Sequence, residues 1–157
     1  MIIGIAAVDR KGAIGKGGKL PWHYPADMKF FRETTTGHAV VMGRKTWLTI
    51  GKPLKNRLNI VLSRDSSIEP QESLLVLGDV ESVLSFNKSL TTELFVIGGA
   101  QVYEAFLSHI DEWIITEVPL TVRDADAFMP KGYLDGFKVE DSKSIGDDLV
   151  VKFYSRG

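Results

Sequence analysis

The sequence predicts an α/β fold: a mostly parallel, twisted sheet of eight strands, flanked by four helices and ending in an antiparallel hairpin. Two observations predict this class. Short apolar segments rich in Val and Ile alternate with segments of helical pattern, which is typical of strands buried on both faces. The last two segments, 137–142 and 148–155, instead alternate apolar and polar residues, as antiparallel strands at a sheet edge do.

Eight segments are predicted to be strands. The first, residues 1–8, is short and apolar and ends in a charged run that begins at Asp9. The others are 39–42, 58–62, 74–77, 93–97, 112–118, 137–142 and 148–155. Residues 10–19 hold four glycines, so we expect this segment to be irregular and mobile.

Four segments are predicted to be helices. Pro25 opens the first, which runs to about Thr35, because its missing N–H would be unpaired at that position anyway. Asp79 is the expected N-cap of a helix that runs through Phe86. The remaining two are 44–50 and 99–107.

Length and composition limit the class of protein. A chain of 157 residues suits a single domain, 1–157. The absence of cysteine excludes disulfides, thiolate metal sites and a cysteine nucleophile. With 19 basic and 20 acidic residues the net charge is −1, which argues against nucleic-acid binding. No apolar run approaches the ~20 residues of a membrane span, and the first residues lack a basic signal-peptide region. We therefore expect a cytoplasmic protein without membrane partners.

The charges are unevenly distributed. Residues 34–64 contain no acid but six bases, whereas 117–148 carry eight acids against four bases. The six bases are Arg44, Lys45, Lys52, Lys55, Arg57 and Arg64. A local positive field on a nearly neutral protein suits a small polyanion. A solvated basic face without function is the alternative that this observation leaves open.

Two strand–glycine–helix junctions predict phosphate contacts. Gly98-Gly99 and Gly43 each stand between an apolar strand and a helix start, where backbone N–H groups can reach an anion at the positive end of the helix dipole. Two such junctions in one sheet favour a dinucleotide, although each can also be only a tight turn. Residues 15–19 lack the full P-loop pattern, which excludes an ATPase of that class.

Asp27 is a candidate binding carboxylate. It falls in the first helical turn, where the dipole alone would favour it. On a helical wheel, however, it shares a side with Met28, Phe30 and Phe31, so its charge needs hydrogen-bond donors there. A ligand with a paired N–H and NH₂ edge would supply them, and Thr116 could face the same cavity.

Metal and triad chemistry are not indicated. His23, His38 and His109 are scattered, without the spacing of metal ligands or of a catalytic triad, and no G-x-S-x-G serine is present.

Several motifs together resemble the bacterial type of the dihydrofolate reductase family, in the family's order from Met1 to about Pro130. They are Ile5-Ala-Ala, Gly15, LPWHYPADMKFF (20–31), VMGRKTW (41–47), IGKPL (50–54), RLNIVLSR (57–64), IGGAQVY (97–103) and DAFMP (126–130). The resemblance implies that fold and the NADPH-dependent reduction of 7,8-dihydrofolate to 5,6,7,8-tetrahydrofolate, with hydride transfer to pterin C6 and protonation of N5. It also implies a monomer, antifolate inhibitors among the small molecules that bind, and an adenosine-binding lobe at about 37–87.

The same resemblance assigns site residues. Asp27, Trp22 and Thr116 match catalytic positions, and Arg57 matches the partner of the substrate's glutamate α-carboxylate. The residues that match substrate-binding positions are Ile5, Ala6, Asp27, Met28, Phe31, Ile50, Lys52, Arg57, Ile97 and Thr116. Those that match cofactor-binding positions are Ala7, Ile14, Gly15, Lys19, Leu20, Gly43, Arg44, Lys45, Thr46, Leu62, Ser63, Arg64, Gly78, Ile97, Gly98, Gly99, Ala100, Gln101, Val102 and Tyr103.

The resemblance implies further that Gly98-Gly99 is cis-linked and that residues 9–24 form a loop that closes over the nicotinamide. Leu20, Gly78, Ala100 and Gln101 depart from residues that some members carry at cofactor contacts. Two alternatives remain: a reductase of this fold that acts on a pyrimidine-ribose intermediate of flavin synthesis, and a catalytically silent nucleotide- or folate-binding module.

Overall fold

The computed structural model describes residues 1–17, 20–65 and 67–157. The strands are β1 Ile2–Val8, β2 Ala13–Gly15, β3 Ala39–Gly43, β4 Leu58–Leu62, β5 Leu74–Leu77, β6 Leu94–Val96, β7 Glu112–Glu117, β8 Ala127–Phe128, β9 Phe137–Gly146 and β10 Leu149–Arg156. The helices are α1 Pro25–Thr35, α2 Arg44–Ile50, α3 Val80–Asn87 and α4 Ala100–Phe106, which continues into a 3-10 turn, Leu107–His109.

Eight of these strands form the main sheet in the order β5-β4-β3-β6-β1-β7-β10-β9. The six strands from β5 to β7 pair in parallel, and β10 pairs antiparallel with both β7 and β9. The predicted fold class is therefore confirmed. The Asp79 carboxylate accepts a hydrogen bond from the Ser82 N–H (2.7 Å) and caps α3, as expected.

The segment 10–19 is more regular than its glycines predicted. Ala13–Gly15 pairs with β8 in a second, two-stranded sheet. The cause is Asp9, which is 4% exposed and whose carboxylate accepts hydrogen bonds from the backbone N–H groups of Lys11, Ala13 and Val122, each at 2.8 Å. The buried Asp9 carboxylate thus replaces hydrogen bonds that a regular β-ladder would supply, and it joins two loops. Gly18 and Lys19 lie outside the described residues.

The C-terminal hairpin is longer than predicted. Its first strand runs to Gly146 instead of residue 142, and its second begins at Leu149. Asp147 and Asp148 form the two-residue turn, with φ values of 55° and 60°. Aspartate tolerates this left-handed conformation, and such turns match the twist of the flanking strands.

The sheet buries a separate apolar cluster on each face. Alternate residues of β1 divide between them: Ile2 and Val8 belong to the cluster beneath α3 and α4, which we call the α4 face. Ile3 and Ile5 belong to the cluster beneath α1 and α2, the α1 face. This alternation decides which side chains can meet a ligand bound beside α1.

A close approach on the α4 face requires Gly4. Its register partner is the fully buried Trp113, and a Cβ at position 4 would overlap Cζ3 and Cε3 of that indole. We expect Gly4→Ala to lower the free energy of unfolding by about 1–3 kcal/mol, because the indole is held between Tyr103 and Tyr133. Urea denaturation measures the change. Gly78→Ala, whose added methyl meets open space, is the control and should stay within about 0.5 kcal/mol. An unchanged Gly4→Ala variant would contradict the packing described.

Candidate active site

The carboxyl ends of four parallel strands meet at one edge of the sheet, where open α/β sheets form their binding crevices. Ala7 of β1 lies opposite Thr116 of β7. After β6, the Ile97 N–H donates to the Val41 carbonyl at 3.0 Å. The Gly43 N–H, at the end of β3, donates to the Gly98 carbonyl at 2.9 Å. These bonds bring the two predicted strand–glycine–helix junctions side by side.

Asp27 and Thr116 meet on the α1 face. Thr116 is 2% exposed and shares this face with Ile114, its neighbour two positions back in β7. Burial raises the pKa of the half-buried Asp27 carboxyl above its ordinary value, and a hydrogen bond with the Thr116 side chain acts in the opposite direction. Within the described ranges no cation is ion-paired with Asp27. The site therefore offers a desolvated acceptor to a cationic or N–H-bearing ligand.

Four of the apolar residues that match substrate-binding positions lie together with Asp27 on this face. Ile5 is buried in the α1-face cluster, and Phe31, Ile50 and Ile97 are half-buried against it. Met28 is 53% exposed. The side chain of Ala6 packs against the α4-face cluster, because it alternates with Ile5 along β1. Its methyl group is thus directed away from Asp27, while Ala7, which is half-buried, shares the parity of Ile5.

Arg57 is a buried cation between α1 and β4. It is 8% exposed; Nε donates to the Lys55 carbonyl (2.9 Å) and Nη1 to Thr35 Oγ1 (3.1 Å). Its guanidinium carbon lies 6.0 Å from the centre of the Phe31 ring. Burial, together with the charge of Arg32, lowers the pKa of Arg57. These contacts fix the guanidinium in place, and no acid among the described residues pairs with it.

Asn59 supports this cation and was not identified from the sequence. The amide is fully buried; Nδ2 donates to the carbonyls of Leu54 and Arg57 (both 3.0 Å), and Oδ1 accepts from the Leu54 N–H (2.9 Å). It thereby holds the segment between α2 and β4, on which the exposed Lys52 lies. A polar amide inside the apolar run LNIVL was the available signal.

The starts of α2 and α4 fit a pyrophosphate. Gly43 and Gly99 are the N-cap residues and neither helix has a side-chain cap, so the first N–H groups stay available for a ligand. A Cβ at Gly43 would lie 2.9 Å from Val102 Cγ2, so a larger residue at this junction would displace the Val102 side chain. A Cβ at Gly99 would lie 3.7 Å from Thr46 Oγ1, which shows how close the two helix starts are. The Gly98–Gly99 peptide is cis.

The part of the site predicted to bind adenosine carries exposed cations and one acid, Asp65, that was not predicted to lie there. Arg44, Lys45 and Arg64 are exposed, as are Gly78 and Gln101, while Leu62, Ser63 and Ala100 are half-buried. Asp65 Oδ2 accepts a hydrogen bond from Arg44 Nε at 2.8 Å, and the Asp65 N–H donates to Ser63 Oγ at 3.0 Å. Asp65 closes the acid-free stretch of the sequence, but sequence reasoning did not connect it with Arg44.

The predicted closing loop is tied to the loop before β8. The Gly17 N–H donates to Asp126 Oδ2 (2.9 Å), and the Asp126 N–H donates to the carbonyl of the buried Gly15 (3.1 Å). Ile14 is half-buried, and Leu20 is 61% exposed. Lys19, another predicted contact, is outside the described part of the chain.

Trp22 precedes α1 in the chain, and Tyr103 lies in α4. The Trp22 Nε1 atom is inaccessible to solvent and lacks a hydrogen-bond partner among the described residues. The hydroxyl of Tyr103, a buried residue, donates to the Ile5 carbonyl at 2.7 Å. Burial is the main cause that raises the Tyr103 pKa, which keeps this phenol a donor.

Comparison with known proteins identifies the family. The family model for dihydrofolate reductase matches residues 1–153. The chain belongs to the dihydrofolate reductase family. It is 37% identical to a dihydrofolate reductase of Haemophilus influenzae over 87% of this chain and 82% of that protein. It is 42% identical to one of Bacillus subtilis over 75% of this chain and 69% of that protein.

The fold agrees with this assignment. The structure of a dihydrofolate reductase from Enterococcus faecalis, complexed with NADP(H) and RAB-propyl, has a TM-score of 0.92 and 30% sequence identity; the match covers 100% of this chain and 96% of that one. The activity is accordingly the NADPH-dependent reduction of 7,8-dihydrofolate to 5,6,7,8-tetrahydrofolate. Among the described residues, no cluster of His, Asp and Glu could hold a metal ion, and no helix is long and apolar enough to cross a bilayer.

Proposed function

We propose that Asp27 binds the pterin of dihydrofolate and promotes protonation of its N5. The observation that carries this proposal is a desolvated carboxylate hydrogen-bonded to Thr116 at the carboxyl edge of the sheet. Such a group stabilises a positively charged partner more strongly than an exposed one does, because water screens it less. Trp22 matches a catalytic position of the family, and in this proposal the proton reaches N5 through a bridging water. Ile5, Phe31, Ile50 and Ile97 exclude solvent from the ring.

Arg57 binds the α-carboxylate of the substrate's glutamate tail in this proposal. Its Nε and Nη1 atoms are engaged by Lys55 and Thr35, which orients the planar group and leaves further N–H donors for a carboxylate. Lys52 is exposed nearby in sequence and adds positive charge. Thr35 and Lys55 are positioning groups for the cation.

The glycine junctions and the basic lobe at about 37–87 bind NADPH in this proposal. The uncapped N–H groups after Gly43 and Gly99 hold the pyrophosphate, and Arg44, Lys45, Ser63 and Arg64 surround the 2′-phosphate. When bound, the cofactor supplies a hydride from nicotinamide C4 to pterin C6. The segment that carries Ile14, Gly15 and Leu20 covers this site.

The proposal is tested by following NADPH absorbance after adding dihydrofolate, or the pyrimidine-ribose intermediate of flavin synthesis, to the purified chain. We expect consumption with dihydrofolate alone. Turnover of the pyrimidine substrate would support the rival reductase, which gives no role to a buried Arg57. Binding of NADPH or dihydrofolate without turnover of either substrate would support a catalytically silent nucleotide- or folate-binding module.

Three finer expectations stay part of the proposal. The active unit is a single chain, which light scattering at assay concentration tests. Antifolates with a protonated amino–ring-nitrogen edge compete with dihydrofolate at Asp27. We also propose a cytoplasmic location, where NADPH and folates are available to the enzyme.

A further inference from the structure

Asp65 occupies part of the site proposed for the 2′-phosphate. Its Oδ2 accepts from Arg44 Nε at 2.8 Å, and its Oδ1 accepts from the Ser67 N–H at 2.8 Å. Its own N–H donates to Ser63 Oγ at 3.0 Å. The Asp65 carboxylate therefore already engages Arg44, one of the four groups proposed to surround the phosphate, and the Asp65 backbone N–H engages a second, Ser63.

The charge of this carboxylate persists at neutral pH. Hydrogen bonds from Ser67 are the largest cause that lowers the pKa of Asp65, and the charge of Arg44 lowers it further. A 2′-phosphate brings up to two negative charges to the same place. An acid beside an adenosine ribose suits a free 2′-hydroxyl, whereas an arginine suits the 2′-phosphate. In this structure one acid, Asp65, and one arginine, Arg44, are already paired with each other.

From this geometry we propose that Asp65 is a specificity-determining residue that competes with the 2′-phosphate for Arg44 and reduces the preference for NADPH over NADH. The inference rests on the proposed placement of the 2′-phosphate. It extends that proposal by naming a group that opposes binding. Without Asp65 the basic stretch 34–64 would favour the extra phosphate more strongly.

Equilibrium titration of NADPH and NADH against the protein without substrate, followed by tryptophan fluorescence, tests the proposal. We expect Asp65→Asn to tighten NADPH binding about three- to tenfold and to leave NADH binding within about twofold. The gain in NADPH affinity should shrink as the salt concentration is raised, because salt screens the partly exposed Asp65–Arg44 ion pair that competes with the phosphate. In an Arg44→Ala background the gain should be lost, since the competed cation is absent.

The matched control is Glu72→Gln, which removes the same charge from an exposed side chain just before β5. Glu72 lies at the amino end of the parallel strands, whereas Asp65 follows the carboxyl end of β4. The control should leave the ratio of the two dissociation constants unchanged, and thermal unfolding verifies that both variants fold. Weaker NADPH binding by Asp65→Asn would mean that Asp65 orients Arg44, and this result would overturn the proposal. An unchanged ratio of the NADPH and NADH dissociation constants in Asp65→Asn would overturn it as well. If the wild-type chain did not bind NADPH, the proposed function would fail as well, so the two failures are distinguishable.

Discussion

Asp27→Asn is expected to slow hydride transfer at neutral pH by at least about tenfold, while NADPH affinity stays nearly unchanged. The asparagine keeps the size of the side chain and its contact with Thr116, but it removes the charge that favours the protonated pterin. Single-turnover mixing of the preformed NADPH complex with dihydrofolate measures the transfer step. Fluorescence titration measures the cofactor affinity separately.

Glu33→Gln is the matched control for that experiment, because it removes a carboxylate from the exposed side of the same helix, where Glu33 faces Lys29 at 3.9 Å. Its transfer rate should equal that of the wild type. A normal rate in Asp27→Asn would refute the assignment of Asp27. Equal losses in both variants would indicate an effect of net charge instead of a local role.

Asp27→Asn should also raise the thermal stability of the folded chain at neutral pH. The pKa of Asp27 is higher in the folded chain than its ordinary value, so ionising this buried group costs folding free energy at pH values above the folded pKa. Below the ordinary pKa both states are protonated and the cost disappears. We therefore expect a higher Tm for Asp27→Asn at neutral pH and no difference in strong acid. An equal Tm at both extremes would contradict the burial of this carboxylate.

Arg57→Ala is expected to raise the dissociation constant of dihydrofolate by the equivalent of ~2–4 kcal/mol, because the substrate carboxylate then loses a buried, hydrogen-bonded partner. Equilibrium binding of dihydrofolate to the enzyme–NADP⁺ complex measures the loss. A normal affinity would count against the tail site.

Two comparisons separate a lost contact from a disturbed fold. Arg57→Lys keeps the charge but not the planar fork, so it should recover only part of the affinity. A dihydropterin without the glutamate tail should bind all three proteins equally. If its affinity also fell in Arg57→Ala, the change would be structural, because Arg57 anchors Thr35 and Lys55 as well.

The repeated apolar segments of the sequence were sufficient to predict the main sheet and the helices, because local periodicity reflects burial. The paired strands β2 and β8 were missed because they are only three and two residues long and depend on contacts distant in sequence, such as Asp9 with Val122 and Gly17 with Asp126. The residue pattern within a short stretch of sequence does not reveal hydrogen bonds between residues so far apart.

The candidate site divides in the same way. Family motifs brought attention to Asp27, Thr116 and Arg57, and the structure shows what surrounds them. The groups that orient Arg57, and the pairing of Arg44 with Asp65 across 21 positions, could not be predicted, since they depend on how two loops approach each other.

A crystal structure of the ternary complex with NADP⁺ and folate tests the central claim most directly. We expect the Asp27 carboxylate within hydrogen-bond distance of the pterin amino group and ring nitrogen, with the nicotinamide stacked alongside at the Gly98–Gly99 edge. A pterin bound elsewhere, with Asp27 in contact only with water, would contradict this account.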